Sequence, residues 1–327
     1  MSVLELVCPA GTPDALRIAV DEGADVVYVG FRDETNARNF PGLNFSRAEL
    51  ADALVYAHAK GSHVYLAVNT YPRAGKEDIW HKAVDDAAAI GVDALILADL
   101  GLLYYACSTY PDLRLHLSVQ ASASNPESIG FYQREFGVQR VVLPRVLTVA
   151  EIQALNALID VETEVFAFGG LCPMAEGRCS LSSYITGKSP NQHGVCSPAS
   201  HVRYAEEHGE MVSRLGDFTI NRFAAYEQAG YPTLCKGRFS AMGQTSYLFE
   251  EPTSLNIIPL LPALEKAGVT ALKIEGRQRG KAYVRDVVRQ FRAAVDAVAK
   301  GETPEDTNAF LCEGGQQTTG AYKRQWK

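Results

Sequence analysis

The sequence predicts an α/β fold of the TIM type: a (β/α)8 barrel with a long cysteine-bearing insertion after the seventh strand. Three observations predict it. Short apolar runs alternate with longer amphipathic segments through eight units in about 300 residues. No G-x-G-x-x-G follows the first apolar run, which counts against an open dinucleotide-binding sheet. The segment between the seventh and eighth runs is far longer than an ordinary strand-to-helix connection, and long connections tend to carry function.

In chain order, strands are predicted at residues 4–8, 26–31, 63–69, 94–99, 115–122, 140–145, 164–168 and 271–275. Helical patterns lie between them in DALRIAVDEG, SRAELADALVYAHAKG, KEDIWHKAVDDAAAIG and PESIGFYQREFG, several closing on the glycine expected just past a helix end. A helix in EPTSLNIIPLLPALEKAG precedes the eighth strand, and a last helix covers residues 280–300. The organisation is then residues 1–170 for the first seven units, 171–252 for the insertion on the C-terminal face, and 253–327 for the last unit and tail, all one structural domain.

Strand alternation assigns the lumen. Val27, Val29, Val64, Leu66, Val68, Leu272 and Ile274 should face the helices. Tyr28, Asn69, Asp99, Ser118, Gln120, Ser122, Arg145, Lys273 and Glu275 should face inward, with Glu164, Phe166 and Phe168 on the inner side of the seventh strand. A lumen filled only for stability would be mostly Val, Ile and Leu, so this polar set predicts a polar pocket. Glu164 and Lys273 read as a buried ion pair. Asn69, Asp99, Gln120 and Arg145, near the strand ends, are the candidate catalytic residues.

Four of the seven cysteines, Cys172, Cys179, Cys196 and Cys235, occupy one 64-residue stretch with the spacing C-x6-C-x16-C-x38-C. Cys172, Cys179 and Cys196 each adjoin Pro or Ser, and Gly237 lies two residues beyond Cys235, in backbone suited to loops. Four thiolates match a [4Fe–4S] cluster or a tetrahedral zinc. Zinc sites commonly use C-x-x-C knuckles and none occurs here, which favours the larger cluster, with zinc and disulfides as the alternatives. Cys8, Cys107 and Cys312 read as ordinary structural thiols. His193 and His201 flank Cys196 and read as solvated surface; the other histidines fall mainly in helices or outward strand positions.

With 31 basic and 38 acidic residues, the net charge is −7, which argues against broad binding to a nucleic-acid backbone. No basic-then-apolar leader opens the chain and no apolar run is long enough to span a bilayer, so the expected compartment is the cytoplasm, with no transmembrane segment. G-x-S-x-G, H-E-x-x-H and Walker A runs are absent.

The segment EVFAFGGLCPMAEGRCSLSSY, residues 164–184, resembles the signature of the peptidase U32 family, an E-x-F-x-x-G stretch followed by L-C-x6-C-x-L-S. The resemblance extends through ELVCPAGTPDAL, LILADLG, SVQASASN, YPTLCKGR and KIEGRQR, covering nearly the whole chain. DETNARNF, VVLPRVL, GRCSLSSYITGKSPN and QTTGAYKRQW look like the ubiquinone-biosynthesis branch of that family in particular. That resemblance implies an oxygen-independent hydroxylation of a polyprenyl-phenol, the polyprenylated aromatic precursor of ubiquinone. It implies a [4Fe–4S] cluster on Cys172, Cys179, Cys196 and Cys235. It also implies heterodimer formation with a UbiV-like paralogue, help from a UbiT-like lipid-binding protein, and no nucleic-acid partner. By analogy with RNA-modifying relatives, a carboxylate hydroxyl donor such as prephenate would be held by Arg145 and Arg277. The alternatives are an RNA-base hydroxylase and a non-catalytic iron–sulfur electron-transfer subunit. Against the RNA reading, such relatives carry extra C-terminal domains, for which the 50 or so residues after the eighth strand leave little room. No residues point to a protease.

Overall fold

Eight parallel strands close on themselves in the computed structural model, which describes residues 4–172, 174, 179–190, 196–227, 229–312 and 315–323. They are β1 (Glu5–Pro9), β2 (Val26–Gly30), β3 (His63–Val68), β4 (Ala94–Leu97), β5 (Leu115–Leu117), β6 (Arg140–Val142), β7 (Glu162–Gly170) and, after the insertion, β14 (Ala271–Ile274). β14 pairs in parallel with both β1 and β7, which closes the barrel. Outside it lie α1 (Pro13–Asp21), α2 (Arg47–Ala59), α3 (Asp78–Ile90), α4 (Leu100–Thr109), α5 (Pro126–Phe136), α6 (Val149–Asn156), α8 (Leu261–Lys266) and α9 (Lys281–Ala299). Their starts are written locally. Thr12, Asn125 and Thr148 accept hydrogen bonds from the first-turn amides of α1, α5 and α6, and Ser46 and Glu49 form a reciprocal capping box on α2.

The alternation read from the sequence places most side chains correctly. Val27, Val29, Val64, Leu66, Val68, Leu272 and Ile274 join the core between strands and helices. Tyr28 and Tyr65 pack inside the lumen with Val7, Val26, Ala67, Ala94, Ile96 and Ala271. Phe168 is different. The β7–β14 register shifts between Lys273 and Ile274, which face Phe166 and Phe168, so Ala167 is an extra residue and the side-chain parity inverts after it. Phe168 consequently leaves the lumen and packs against Tyr283 and Phe291 of α9, at ring-centroid distances of 6.2 and 5.8 Å.

Two further expectations are corrected. The fifth strand ends at Leu117 rather than at 122, because Ser118 caps a 3-10 turn over Val119–Ala121 and Ser122 takes a left-handed conformation with φ 55°. The helix expected ahead of the last barrel strand is divided into β13 (Ser254–Asn256), a 3-10 turn and the six-residue α8. Pro259 and Pro262 lack the amide that an uninterrupted helix would need, and each falls in a first turn instead. β13 runs antiparallel to β7 and parallel to β15 (Gln317–Thr318), so the tail returns to the barrel.

The floor of the lumen is charged. Arg140, 4% exposed, pairs with Glu5, with Glu162 at 2.6 Å and with Glu164 at 3.5 Å. His116 lies among these groups and is fully buried, unlike the outward histidines expected, with its ring edge-on to Tyr65 at 4.7 Å. Burial, then the neighbouring Arg140, Arg114 and Lys273, hold its pKa well below the usual range, so the ring is neutral. Lys273 donates to Glu164 at 2.5 Å, the pair expected from strand parity. Glu164 is completely buried, so removing its nearest cation leaves an acid poorly compensated. Lys273→Met should therefore cost about 3–5 kcal/mol. A Glu164→Gln/Lys273→Met double variant should recover most of that loss, as chemical denaturation would measure; a single-variant cost under about 1 kcal/mol would mean that the pair is replaceable.

Candidate functional site

After β7 the chain leaves the barrel at its C-terminal end and returns only at β13. The described part of this excursion comprises α7 (Ser180–Thr186), an antiparallel sheet of β8 (Val202–Glu207), β9 (Glu210–Leu215) and β10 (Phe218–Phe223), and a hairpin of β11 (Arg238–Ala241) and β12 (Gln244–Tyr247). Cys172 follows β7 directly. Cys179 caps α7, its sulfur accepting from the Ser182 amide at 3.4 Å. The same Ser182 donates its hydroxyl to the Cys196 carbonyl at 2.5 Å, so one serine ties two cysteines to one helix end. Cys235 sits in a 3-10 turn, Leu234–Lys236, packed against α7.

The four thiols are electrostatic neighbours. Burial raises the pKa of Cys196, Arg38 pulls it back, and Cys172 and Cys179 raise it further. Cys196 retains solvent exposure as a residue, so the burial concerns the atoms crowded around its thiol. Cys235 is pushed up to about 12 by burial, with Cys196 and Cys172 adding. All four are free of disulfides. Among the described residues, no three of these sulfurs lie within 4.8 Å of one another. A tetrahedral zinc with Zn–S bonds near 2.3 Å would hold its sulfurs about 3.8 Å apart.

Beside the cysteines the lumen mouth is cationic. Arg277, just beyond β14, is 7% exposed and donates to Asn36 Oδ1 at 2.9 Å, with its guanidinium 5.4 Å from the Tyr28 ring. Burial, offset in part by Tyr28 and reinforced by Arg38, lowers its pKa to about 10. Arg38 acts electrostatically on both Arg277 and Cys196. Gly30 makes the seat possible: a Cβ there would strike the Asn36 amide and lie 2.8 Å from an Arg277 nitrogen. Arg145 stacks 3.5 Å over the Phe166 ring and pairs with Glu275. Gly169, at φ 136°, leaves room for the Glu275 side chain. Tyr322, from the tail, is buried near Arg145 and Glu275, and its hydroxyl donates to the Phe166 carbonyl at 2.9 Å. Arg38, Asn36 and Tyr322 were not picked out as site residues by strand alternation, because they lie outside the strands.

The four candidates read from strand ends occupy different settings. Arg145 belongs to this cationic wall. Asn69 accepts from the Ala37 amide at 3.1 Å, bracing the loop that carries Asn36 and Arg38. Asp99 caps α4 through the Leu102 amide at 2.9 Å. Gln120 is buried, its carbonyl accepts from Tyr71, and its side-chain Oε1 has no hydrogen-bond partner among the described residues. His201 hydrogen-bonds Ser200, while His193 lies outside the described residues.

A closed (β/α)8 barrel with a cysteine tetrad at the C-terminal end of its seventh strand defines the class. The chain belongs to peptidase family U32, whose family model matches residues 11–326. It is 33% identical to the tRNA hydroxylation protein P of Escherichia coli K12, over 93% of this chain and 70% of that protein. It is 30% identical to the Haemophilus influenzae protein of the same name, over 98% and 74%. The 23S rRNA 5-hydroxycytidine C2501 synthase of E. coli is 29% identical over 90% of this chain and 40% of its own length. No helix among the described residues is long and apolar enough to cross a membrane.

Proposed function

We propose that this chain is the UbiU-like iron–sulfur subunit of an oxygen-independent hydroxylase acting in the cytoplasm on the polyprenylated aromatic precursor of ubiquinone. The observation that carries the reading is the gathering of the four cysteines where the chain leaves β7: Cys172 lies just past that strand, Ser182 hydrogen-bonds both Cys179 and Cys196, and the turn of Cys235 packs against α7. A redox group held there would lie at the barrel's C-terminal end, where Arg145 and Arg277 follow β6 and β14. Cys172, Cys179, Cys196 and Cys235 would hold a [4Fe–4S] cluster, which supplies one-electron transfer when bound. Arg277 and Arg145 would orient a carboxylate-bearing hydroxyl donor by charge-assisted hydrogen bonds. Phe166 and Tyr28 are buried, their rings covered by Arg145 at 3.5 Å and by Lys273 at 4.0 Å, and would support the cations from beneath. Of the other candidate residues, Asn69 would brace the loop that carries Asn36 and Arg38, and Asp99 would hold the start of α4.

Named relatives that hydroxylate RNA support hydroxylation as the reaction class, and they favour one competing substrate, an RNA base. The net charge of −7 favours the phenol. Exposed aromatics in the excursion, Tyr184, Tyr226, Tyr231 and Phe249, offer apolar surface for a UbiV-like paralogue. The test is an anaerobic assay of the chain co-purified with that paralogue, with a polyprenyl-phenol or a tRNA transcript as substrate and mass spectrometry as readout. A gain of one oxygen on the phenol, with the RNA unchanged, is expected. Oxygen added to RNA alone would move the assignment to the RNA reading, and no product from either would leave an electron-transfer subunit.

A further inference from the structure

The opposite end of the barrel carries a second convergence of metal-binding groups. His58 lies in the last turn of α2, His63 opens β3, and Asp93 stands just before β4. His58 Nε2 is 3.1 Å from Asp93 Oδ1 and 2.9 Å from Oδ2, and His63 Nδ1 is 3.2 Å from Oδ1. One ligand atom from each residue falls within 4.8 Å of the other two. We infer that His58, His63 and Asp93 form a binding site for one divalent transition-metal ion, with zinc(II) the best match, on the N-terminal face of the barrel.

The geometry favours coordination over chance proximity. Tetrahedral nitrogen and oxygen ligands at 2.0–2.1 Å stand about 3.3 Å apart, close to the separations around Asp93 Oδ1. The two imidazoles meet at an interplanar angle of 71° with centroids 6.4 Å apart, so their nitrogens approach from different directions. Asp93 is oriented by the backbone: its Oδ2 accepts from the Val64 amide at 2.7 Å, while its own amide donates to the Val64 carbonyl at 3.1 Å. Oδ1 lies within reach of both histidines, with His58 also 2.9 Å from Oδ2, and an outer hydrogen bond of this kind is what fixes a ligating carboxylate. Both histidine side chains are about half exposed, which provides an entry path and a solvent position for a fourth ligand. The ion would join the end of α2 to the starts of β3 and β4. This is the face where barrel residues serve stability, at the end away from the cysteines.

Purified anaerobically, with its iron and sulfide content determined, the full chain should be titrated with Co2+ and then with Zn2+. One Co2+ per chain should bind without thiolate charge-transfer absorption, be displaced by Zn2+, and leave the iron content unchanged. Zn2+ should also raise the melting temperature. A His58→Gln/His63→Gln variant, altered only at exposed side chains, should bind at least about 100-fold more weakly and lose the thermal shift, since even outer-sphere partners are worth 10–100-fold in affinity. Unchanged binding in that variant, or a thiolate band on the bound cobalt, would overturn the inference.

Discussion

Alanine at Cys179 is expected to strip most of the iron from the protein and to loosen residues 171–252 while the barrel stays folded. Two losses coincide at this position. The sulfur is one of the four converging thiols, and it also accepts the Ser182 amide at the start of α7. A lost cap alone costs about 1 kcal/mol. The larger loss would be the proposed cluster, whose binding free energy would organise the loops that meet around it. The barrel has a separate apolar core spread over its strands and outer helices, and none of that core is touched. Iron and sulfide analysis, limited proteolysis and hydrogen exchange would read the effects separately. Cooperative unfolding of barrel and excursion together, or full iron retention, would contradict this account.

Arg277→Met should abolish hydroxylation, by at least about 100-fold, without destabilising the fold. Arg277 is buried with its guanidinium hydrogen-bonded to Asn36, and Glu275, the nearest acid acting on it, is paired instead with Arg145. Burial lowers its pKa to about 10, so keeping it charged at neutral pH opposes folding. The sign follows from linkage: the unfolded chain holds this proton more tightly, so the penalty is complete below about pH 10 and fades as the pH rises above it. Asn36 Oδ1 also accepts from the Arg38 amide at 2.9 Å, so methionine would leave no orphaned acceptor. Activity should fall while the denaturation midpoint holds or rises, the reverse of the stability loss expected for Lys273→Met. Arg277→Lys should restore little, because the planar fork is lost. A strongly destabilised Arg277→Met protein would mark this arginine as structural.

The barrel was legible because its signal is periodic. Val27 and Val29, or Val64, Leu66 and Val68, declare their outward face by alternation, and the inward tyrosine, lysine and acid positions follow. Alternation fails where spacing between strands changes. Nothing local in EVFAFGG marks the extra residue that turns Phe168 outward, since a bulge is a register event set by the partner strand. LSVQAS alternates like a strand, yet Ser118 captures the backbone into a 3-10 turn. Asp99 reads from alternation as a lumen carboxylate, whereas the structure engages it as the cap of the helix it precedes. The four cysteines stand out in the sequence by their clustering and spacing. Arg38, Asn36 and Tyr322 come from irregular segments, where neither period nor spacing reports which way a side chain turns.

The most direct test of the central claim is the iron and acid-labile sulfide content of protein purified without oxygen, together with the EPR spectrum of its reduced form. The account predicts about four irons and four sulfides per chain with a reduced-cluster signal, all lost when Cys172, Cys179, Cys196 or Cys235 is replaced. One zinc held by the same four cysteines, with no sulfide and no EPR signal, would contradict it.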